Sequence, residues 1–506
     1  MKKKTLAALV LTIALLMSNA SAVWSPVDFA GGSLSGIVAD GDSVLVSDVF
    51  NKVVWRITGN EVEQAVGQIS VPGLDGEPIG KYGDGTLDTA LFMEPWAMTP
   101  FLDGFAVSDT EANVIRYFDD KGVFTAVGRE KAGFRDGTGT GASFNTPTGL
   151  ATDDDGNVYI ADTGNGAIRK MTTKGKVTTV ATGLIDPTGL CWHDGSLYVA
   201  ETGRNRILRL VGGTDEVIAG FSTNFSDGHY AGAYVDGPVS VARFDHPQGV
   251  AVGADGSVYV ADTENHAVRM VKDGYVTTLA VSRETPEAPI QPRGILVQGS
   301  RLLVTDLFAQ TVLEIDLTPV SYPDVSTASA LGPYVIRATE RGIVSAADGV
   351  NFAPNVPVNR ASFAQMLANM HLHADGNAVI NGDSTFADVP ADAWYAGAVR
   401  WAADLGVIQG NNGAFLPAQS ISRQQLVTML YRYAQQMGYD VSVGEDTNIL
   451  SYTDALTISE YAIPAIQWAC GAGIISGYAD GRLNPHGMTT RAQVSKMLVN
   501  FQDLVR

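Results

Sequence analysis

Through the first part of the chain, apolar and polar residues alternate with a period of two in short runs broken by Gly, Asp and Asn. Six of these runs align without gaps: VLVSDVFNKVVWRI from Val44, FAVSDTEANVIRYF from Phe105, VYIADTGNGAIRKM from Val158, LYVAETGRNRILRL from Leu197, VYVADTENHAVRMV from Val258 and LLVTDLFAQTVLEI from Leu302. Each reaches a carboxylate (Asp48, Asp109, Asp162, Glu201, Asp262, Asp306), turns, and alternates again. That pattern predicts a β-hairpin. A strand-like run precedes the hairpin, as in PTGLATD and PQGVAVG, and another follows it, as in GKVTTVAT and GYVTTLAV. Four strands per repeat, recurring at spacings of 61, 53, 39, 61 and 44 residues, predict a six-bladed all-β propeller over residues 23–318.

The last hairpin lacks an outer strand, because Glu314-Ile315-Asp316-Leu317 leads straight into Pro319. Near the start, Val27–Gly31 in WSPVDFAGG resembles GVFTAVG at residues 122–128. Its pairing with the last hairpin would close the ring and remove both open sheet edges.

Beyond Pro319 the pattern changes to amphipathic helices. Three units open with SYPDVS at Ser321, TFADVP at Thr385 and SYTDAL at Ser451. Each continues into an Ala-rich helix (YVIRATERGIV, WYAGAVRWAADLGVI, YAIPAIQWACGAGII), a Gly-rich turn and a second helix, giving expected repeats at 321–374, 385–438 and 451–505. The second helices carry caps at Asn359, Ser422 and Thr490, and Gln425 and Gln493 complete capping boxes in the last two. The expected fold class is multidomain: an all-β propeller followed by an all-α triplet in pseudo-threefold arrangement.

The hairpin phrase resembles the NHL repeat family, whose blades carry a phrase close to VYVADTGNHRIRKI after a Pro-x-Gly turn. Such turns stand, in whole or part, at Pro95, Pro147, Pro187, Pro247 and Pro292. The family's insertion is similar to DGTLDTALFMEPWA, DGTGTGASFNTPTG and DGPVSVARFDHPQG. In the second part, VNRASF, ISRQQL and TTRAQV resemble the ITRAE motif of S-layer homology (SLH) repeats. The motif Glu is replaced by Ser362, Gln425 or Gln493, and only Trp394 keeps the family's Trp at the first helix. The SLH resemblance implies non-covalent attachment to a secondary cell-wall polymer or other anionic envelope glycan. The expected wall-binding residues are Arg360, Arg423 and Arg491 at the helix starts, with Asp324, Asp388, Asp454 and Trp394. An Arg in the first turn offers a planar set of donors beside free N–H groups at the positive end of the helix.

Charge narrows the partners. The 506 residues carry a formal net charge of −20; residues 23–320 hold 21 Lys and Arg against 39 Asp and Glu, and residues 321–506 hold 10 against 15. Such a surface repels phosphate backbones and argues against nucleic-acid binding. Lys2 to Lys4, an apolar run from Leu6 to Met17 and the small-residue site Ala20-Ser21-Ala22 read as a secretory signal peptide over residues 1–22. No later segment is long and apolar enough to span a membrane. Secretion to the cell wall or S-layer is expected. Two cysteines, Cys191 and Cys470, fall in different parts, so a disulfide is not expected.

A carboxylate present on every blade reads first as a turn acceptor of backbone N–H groups; a ring of carboxylates around a metal is the rival. The four propeller histidines, His193, His229, His246 and His266, would need separate blades to converge on zinc. No metal site, cofactor or catalytic group is assigned. Differences between blades are the better guide to a ligand face. The long insertions at residues 68–85 and 221–237 supply Tyr82, Phe225, His229, Tyr230 and Tyr234, aromatic or amphipathic groups suited to recognition of an extracellular ligand or protein. The expected function is a surface protein held to the wall by its SLH repeats and displaying the propeller as a binding module. The alternative is an extracellular propeller enzyme, a metal-dependent lyase or lactonase tethered to the wall.

Overall fold

The structure, a computed structural model, describes residues 23–25, 32–59, 61–69, 80–212, 214–221, 230–281, 290–307, 310–374, 380, 386–410, 412–442 and 448–505. The signal-peptide expectation at residues 1–22 lies outside these residues. The chain divides into two compact units, one made mainly of the residues up to Thr318 and the other mainly of those from Pro319, with Val235–Pro238 grouped with the second.

The first unit is a six-bladed propeller of antiparallel sheets. Its first blade runs Leu34–Asp40, Ser43–Asp48, Val53–Thr58 and Glu61–Val66, and its second runs Pro95–Phe101, Gly104–Asp109, Val114–Asp119 and Gly122–Gly128. The third, fourth and fifth blades open with Pro147–Thr152, Pro187–His193 and Pro247–Val252 and repeat the same order. The sixth takes Pro292–Gln298, Arg301–Asp306 and Thr311–Asp316 from the end of the unit and Val23–Ser25 from its start. Val23 pairs with Glu314, Trp24 with Leu313 and Ser25 with Val312, so the ring is closed by the two ends of the unit. The closing strand is Val23–Ser25; the expected Val27–Gly31 lies outside the described residues.

Alternation places one face of each sheet against the next blade. Val38, Leu45 and Val54 of the first blade pack with Met98, Val107 and Phe118 of the second, and Leu34 and Val46 pack with Leu303 and Val312 across the closure. Toward the axis this packing becomes so close that a side chain no longer fits. A Cβ on Gly149 would stand 1.8 Å from the Thr188 carbonyl oxygen, on Gly189 2.4 Å from that of Gln248, on Gly249 2.1 Å from that of Arg293, and on Gly294 2.2 Å from that of Ser35. Gly36 meets the Trp96 carbonyl at 2.6 Å in the same way. Only the second blade carries a side chain at this position, Ala97. The Gly of the Pro-x-Gly turn is thus required by the neighbouring strand.

The second unit contains α1 (Gly332–Glu340), α2 (Arg360–Ala374), α3 (Ala396–Asp404), α4 (Arg423–Gln436), α5 (Ile463–Gly471) and α6 (Arg491–Leu504). Both capping boxes form: Gln425 Oε1 accepts from Ser422 N and Gln493 Oε1 from Thr490 N, each at 3.0 Å. Asn359 Oδ1 accepts from Ser362 N at 2.8 Å. Just before these caps, Val358 N donates to Thr489 O, Thr489 N to Ile421 O, and Ile421 N to Val358 O, a cycle of three backbone bonds that fixes the pseudo-threefold arrangement. Phe363, Leu367, Leu426, Leu430, Tyr433, Trp468, Val494 and Phe501 then share one core.

Gly249→Ala should destabilise the propeller by about 1–3 kcal/mol through overpacking, whereas Ala97→Gly should cost no more than about 1 kcal/mol. Urea unfolding followed on the propeller transition measures both, and equal effects would refute the close-approach account.

Candidate functional site

The repeated carboxylate comes first because all six blades have it. Asp48, Asp109, Asp162, Glu201, Asp262 and Asp306 are buried. Asp48 accepts from Phe50 N and Asn51 N in its own turn, as expected, and also from Ser33 N in the segment leading into its blade. The second bond is the general one: Asp109 accepts from Met93 N and Glu94 N, Asp162 from Asn145 N, Glu201 from Ile185 N, Asp262 from Asp245 N and Asp306 from Gln291 N. Each carboxylate therefore ties the entering chain to the hairpin.

The following Thr ties one blade to the next. Thr110, Thr163, Thr202 and Thr263 donate to the carbonyls of Pro147, Pro187, Pro247 and Pro292 at 2.6–2.8 Å. In three blades, among them the first and sixth, where Val49 and Leu307 replace that Thr, the residue before the carboxylate makes the tie: Ser47 to Trp96 O, Ser108 to Thr148 O and Thr305 to Ser35 O.

The later Arg of the phrase completes a buried ion pair. Arg116, Arg169 and Arg269 are fully buried and reach Asp109, Asp162 and Asp262 at 3.2, 2.7 and 2.6 Å. Burial pushes the Asp262 carboxyl up to about 6 against the pull of Arg269, and raises Asp109 and Asp162 in the same direction. The first blade substitutes Trp55, whose Nε1 donates to Asp48 at 2.9 Å. In the fourth, Glu201 is longer and meets Arg204 and Arg206 from its own turn and strand.

Each of the three buried arginines lies between two rings: Arg116 between Tyr82 and Phe92, Arg169 between Phe134 and Phe144, Arg269 between Tyr234 and Phe244, with ring centroids 4.7–5.3 Å away. These rings belong to the inserted segments, which fold back onto their own blades. That corrects the reading of Tyr234 as a ligand-face residue, since it is buried and its hydroxyl meets Thr278 Oγ1 at 2.6 Å. Tyr82 is likewise held on Arg116 and by Thr125 Oγ1 at 2.5 Å. Tyr230 is half-buried near Arg204, its carbonyl accepting from Asn205. Phe225 and His229 lie outside the described residues. His266 bonds the Ile290 carbonyl and His246 pairs with Asp245. Burial pushes the Cys191 thiol up to about 11, the condition of an unreactive cysteine.

In the helical unit, each expected wall-binding Arg reaches into another repeat. Arg360 donates from Nε to Phe415 O and from Nη2 to Gln409 O, at 2.7 and 2.9 Å, and covers the Phe415 ring. Arg491 repeats this with Phe352 O, Ser345 O and the Phe352 ring. Arg423 is buried, donates from Nη2 to Ser476 O and lies over Tyr478. Burial lowers the pKa of all three.

The free N–H groups expected at the helix starts are occupied. Arg360 N and Ala361 N donate to Gln419 O and Pro417 O, Arg423 N and Gln424 N to Gly487 O and Pro485 O, and Arg491 N and Ala492 N to Val356 O and Pro354 O. Asp324, Asp388 and Asp454 are also committed, each accepting two amides of the turn that carries the Arg partner: Phe352 and Ala353, Phe415 and Leu416, Leu483 and Asn484. Despite the upward push of desolvation, the two amides hold the Asp388 carboxyl below its ordinary range. These carboxylates shape the loops. Trp394 is 66% exposed and meets Tyr395 edge to face.

A groove of about 770 Å³ empty volume lies beside α1, lined by Asp324, Ser326, Ser329, Leu331, Asn355 and Ala492. Ala361 is the residue corresponding to Ala492 in the first repeat, but Gln424 stands there in the second. Gln424 reaches Ser459 Oγ at 3.0 Å and His486 Nδ1 at 3.4 Å, and His486 bonds Thr457 O. The space corresponding to the groove is filled next to Arg423.

Residues 321–364, 385–427 and 451–495 match the S-layer homology domain, and residues 144–171 and 244–269 match the NHL repeat. The chain thus carries three SLH domains in its helical part and NHL repeats in its six-bladed propeller. An endoglucanase of Bacillus sp. (strain KSM-635) is 28% identical over 179 residues, covering 35% of this chain and 18% of the endoglucanase. The surface-layer 125 kDa protein of Lysinibacillus sphaericus is 27% identical over 157 residues, covering 30% and 12%. A cellulosome-anchoring protein of Acetivibrio thermocellus is 27% identical over 151 residues, covering 29% and 32%. The chain spans less than two thirds of the length of these curated relatives. Virginiamycin B lyase from Staphylococcus aureus aligns with a TM-score of 0.38 at 12% identity, covering 57% of this chain and 97% of the lyase.

Arg169→Leu should cost about 3–5 kcal/mol, because it leaves Asp162 buried without its cation. Adding Asp162→Leu should recover part of that loss. A double-mutant cycle by urea unfolding reads the coupling, and additive losses would contradict a paired role.

Proposed function

We propose that this is a cell-surface protein attached non-covalently to an anionic wall polymer through residues 321–505, with the propeller displayed as a binding module. The observation that carries the reading is the match of three SLH domains to a closed triplet in which each Arg bridges to another repeat. The endoglucanase, surface-layer and cellulosome-anchoring relatives support a surface location. Secretion by the N-terminal segment belongs to the same proposal.

Two attachment sites are proposed, at Arg360 and Arg491. In both, Nε and Nη2 are spent on backbone carbonyls, which fixes the guanidinium plane and leaves Nη1 to meet an anionic sugar group. Each sits by a helix start with a small residue next to it, Ala361 or Ala492. Trp394 adds an exposed ring suited to a sugar face. Arg423 is assigned a structural role, because Gln424 and His486 fill the space where a ligand would enter.

Substitution by Lys keeps the charge and loses the planar fork. Arg360→Lys with Arg491→Lys should weaken sedimentation with isolated wall sacculi about tenfold or more, corresponding to roughly 1.5–3 kcal/mol for a charge-assisted bond. Helical content by circular dichroism should be retained. Arg423→Lys should lower thermal stability without changing attachment. Undiminished pelleting of the double variant would sink the two-site reading.

A further inference from the structure

The x residues of the Pro-x-Gly turns and their counterparts form a ring at the propeller axis: Ser35, Trp96, Thr148, Thr188, Gln248 and Arg293, one from each blade in order. The central cavity is lined by the inner strands and by five of these six residues, all but Thr148. The ring is chemically lopsided. Thr148 and Thr188 are used within the fold, bonding Thr163 Oγ1 and Thr202 Oγ1 at 2.6 Å. The other polar members are not. Ser35 is 1% exposed and its Oγ has no hydrogen-bond partner; Gln248 Oε1 and Arg293 Nε are buried and equally unpartnered.

Arg293 differs from the buried arginines of the propeller. Arg116, Arg169 and Arg269 each meet a carboxylate, whereas the Arg293 guanidinium lies over the Trp96 ring, 4.3 Å from its centroid, with no ion pair among the described residues. Stacking covers its face, and Arg293 is among the residues that line the cavity. Burial lowers its pKa to about 10, opposed by Glu94 and Glu264, so it remains a cation at neutral pH. A half-buried, stacked guanidinium with an enclosed and unpartnered Nε, in the same ring as an orphan hydroxyl and an orphan amide acceptor, is costly for folding alone. A ligand would satisfy all three.

We infer that the central cavity binds a small carboxylic acid bearing an adjacent hydroxyl or ammonium group, with the carboxylate on Arg293 and Ser35 and the neighbouring donor on Gln248. The planar N–H fork matches a carboxylate bidentately. Ser35 Oγ supplies a further donor, and Gln248 Oε1 takes the ligand's hydroxyl or ammonium proton. Glu94 and Glu264 make the surroundings hostile to a second negative charge, which disfavours phosphate and sulfate. The site rests on the reading of the propeller as a binding module and is independent of wall attachment.

The test is calorimetric titration of the full chain, in the absence of cell wall and at matched ionic strength, with L-alanine, L-lactate, acetate and inorganic phosphate. Saturable binding of L-alanine or L-lactate, at least several-fold tighter than acetate and with phosphate weaker still, is expected. Arg293→Gln should weaken it by more than about tenfold, and Ser35→Ala by several-fold. If Arg293→Gln does not fold, Arg293→Lys, which keeps the charge but not the fork, should show a several-fold loss. Phosphate binding equal to or tighter than alanine and lactate, or no saturable signal with either acid, would overturn the site. Binding unaltered in Ser35→Ala and Arg293→Lys would place the acid elsewhere and equally overturn it. Sacculus sedimentation reads attachment separately, so failure here leaves the anchoring proposal to its own test.

Discussion

The propeller depends on how closely six inner strands approach one another around a common axis. At that distance a backbone carbonyl of one blade occupies the place where the next blade would carry a Cβ, and glycine is the residue that fits. The same approach brings hydroxyls within reach of the neighbouring strand, so Ser47, Ser108 and Thr305 cross between blades near the axis and Thr110, Thr163, Thr202 and Thr263 cross at the following turn. The carboxylate between these two positions holds the entering chain in register. Nearly every fixed letter of the repeat is consumed by this geometry. The residue between Pro and Gly escapes it, and there the blades differ most in chemistry.

Much of this was legible from the residues. Period-two alternation around a fixed carboxylate marks six hairpins, and Asn359, Ser422 and Thr490 mark three helix starts, because hairpins and caps are decided by neighbours in the chain. The inserted aromatics were harder. Tyr82 and Tyr234 stand in long polar segments, which makes them look like surface rings, and their arginines lie far along the chain. Only the folded insertion shows that Tyr82 covers Arg116 and Tyr234 covers Arg269. The closing pairing is hard to read for a similar reason: the three residues Val23–Ser25, which pair with the last hairpin, leave little side-chain pattern.

The helical part repeats the lesson with a different outcome for charge. Helix starts suggest open N–H groups, but Pro417, Gln419, Pro485, Gly487, Pro354 and Val356 supply carbonyls from other repeats and close them. Sequence can place a cap, since its partner is three residues away, yet cannot see an acceptor from the next repeat. What remains for a ligand is a guanidinium edge held by two carbonyls. A Gln at Ala361 or Ala492, like the one at 424, would set a longer side chain beside that edge.

The cycle of bonds through Val358, Ile421 and Thr489 has a bearing on inheritance. In this cycle repeat one donates to three, three to two, and two to one, so none of the three has a free end. Loss of one repeat would orphan an arginine in one survivor and a turn in the other. Duplication or recombination that moved fewer than three repeats would leave these contacts open, and substitutions inside one member are judged by the other two.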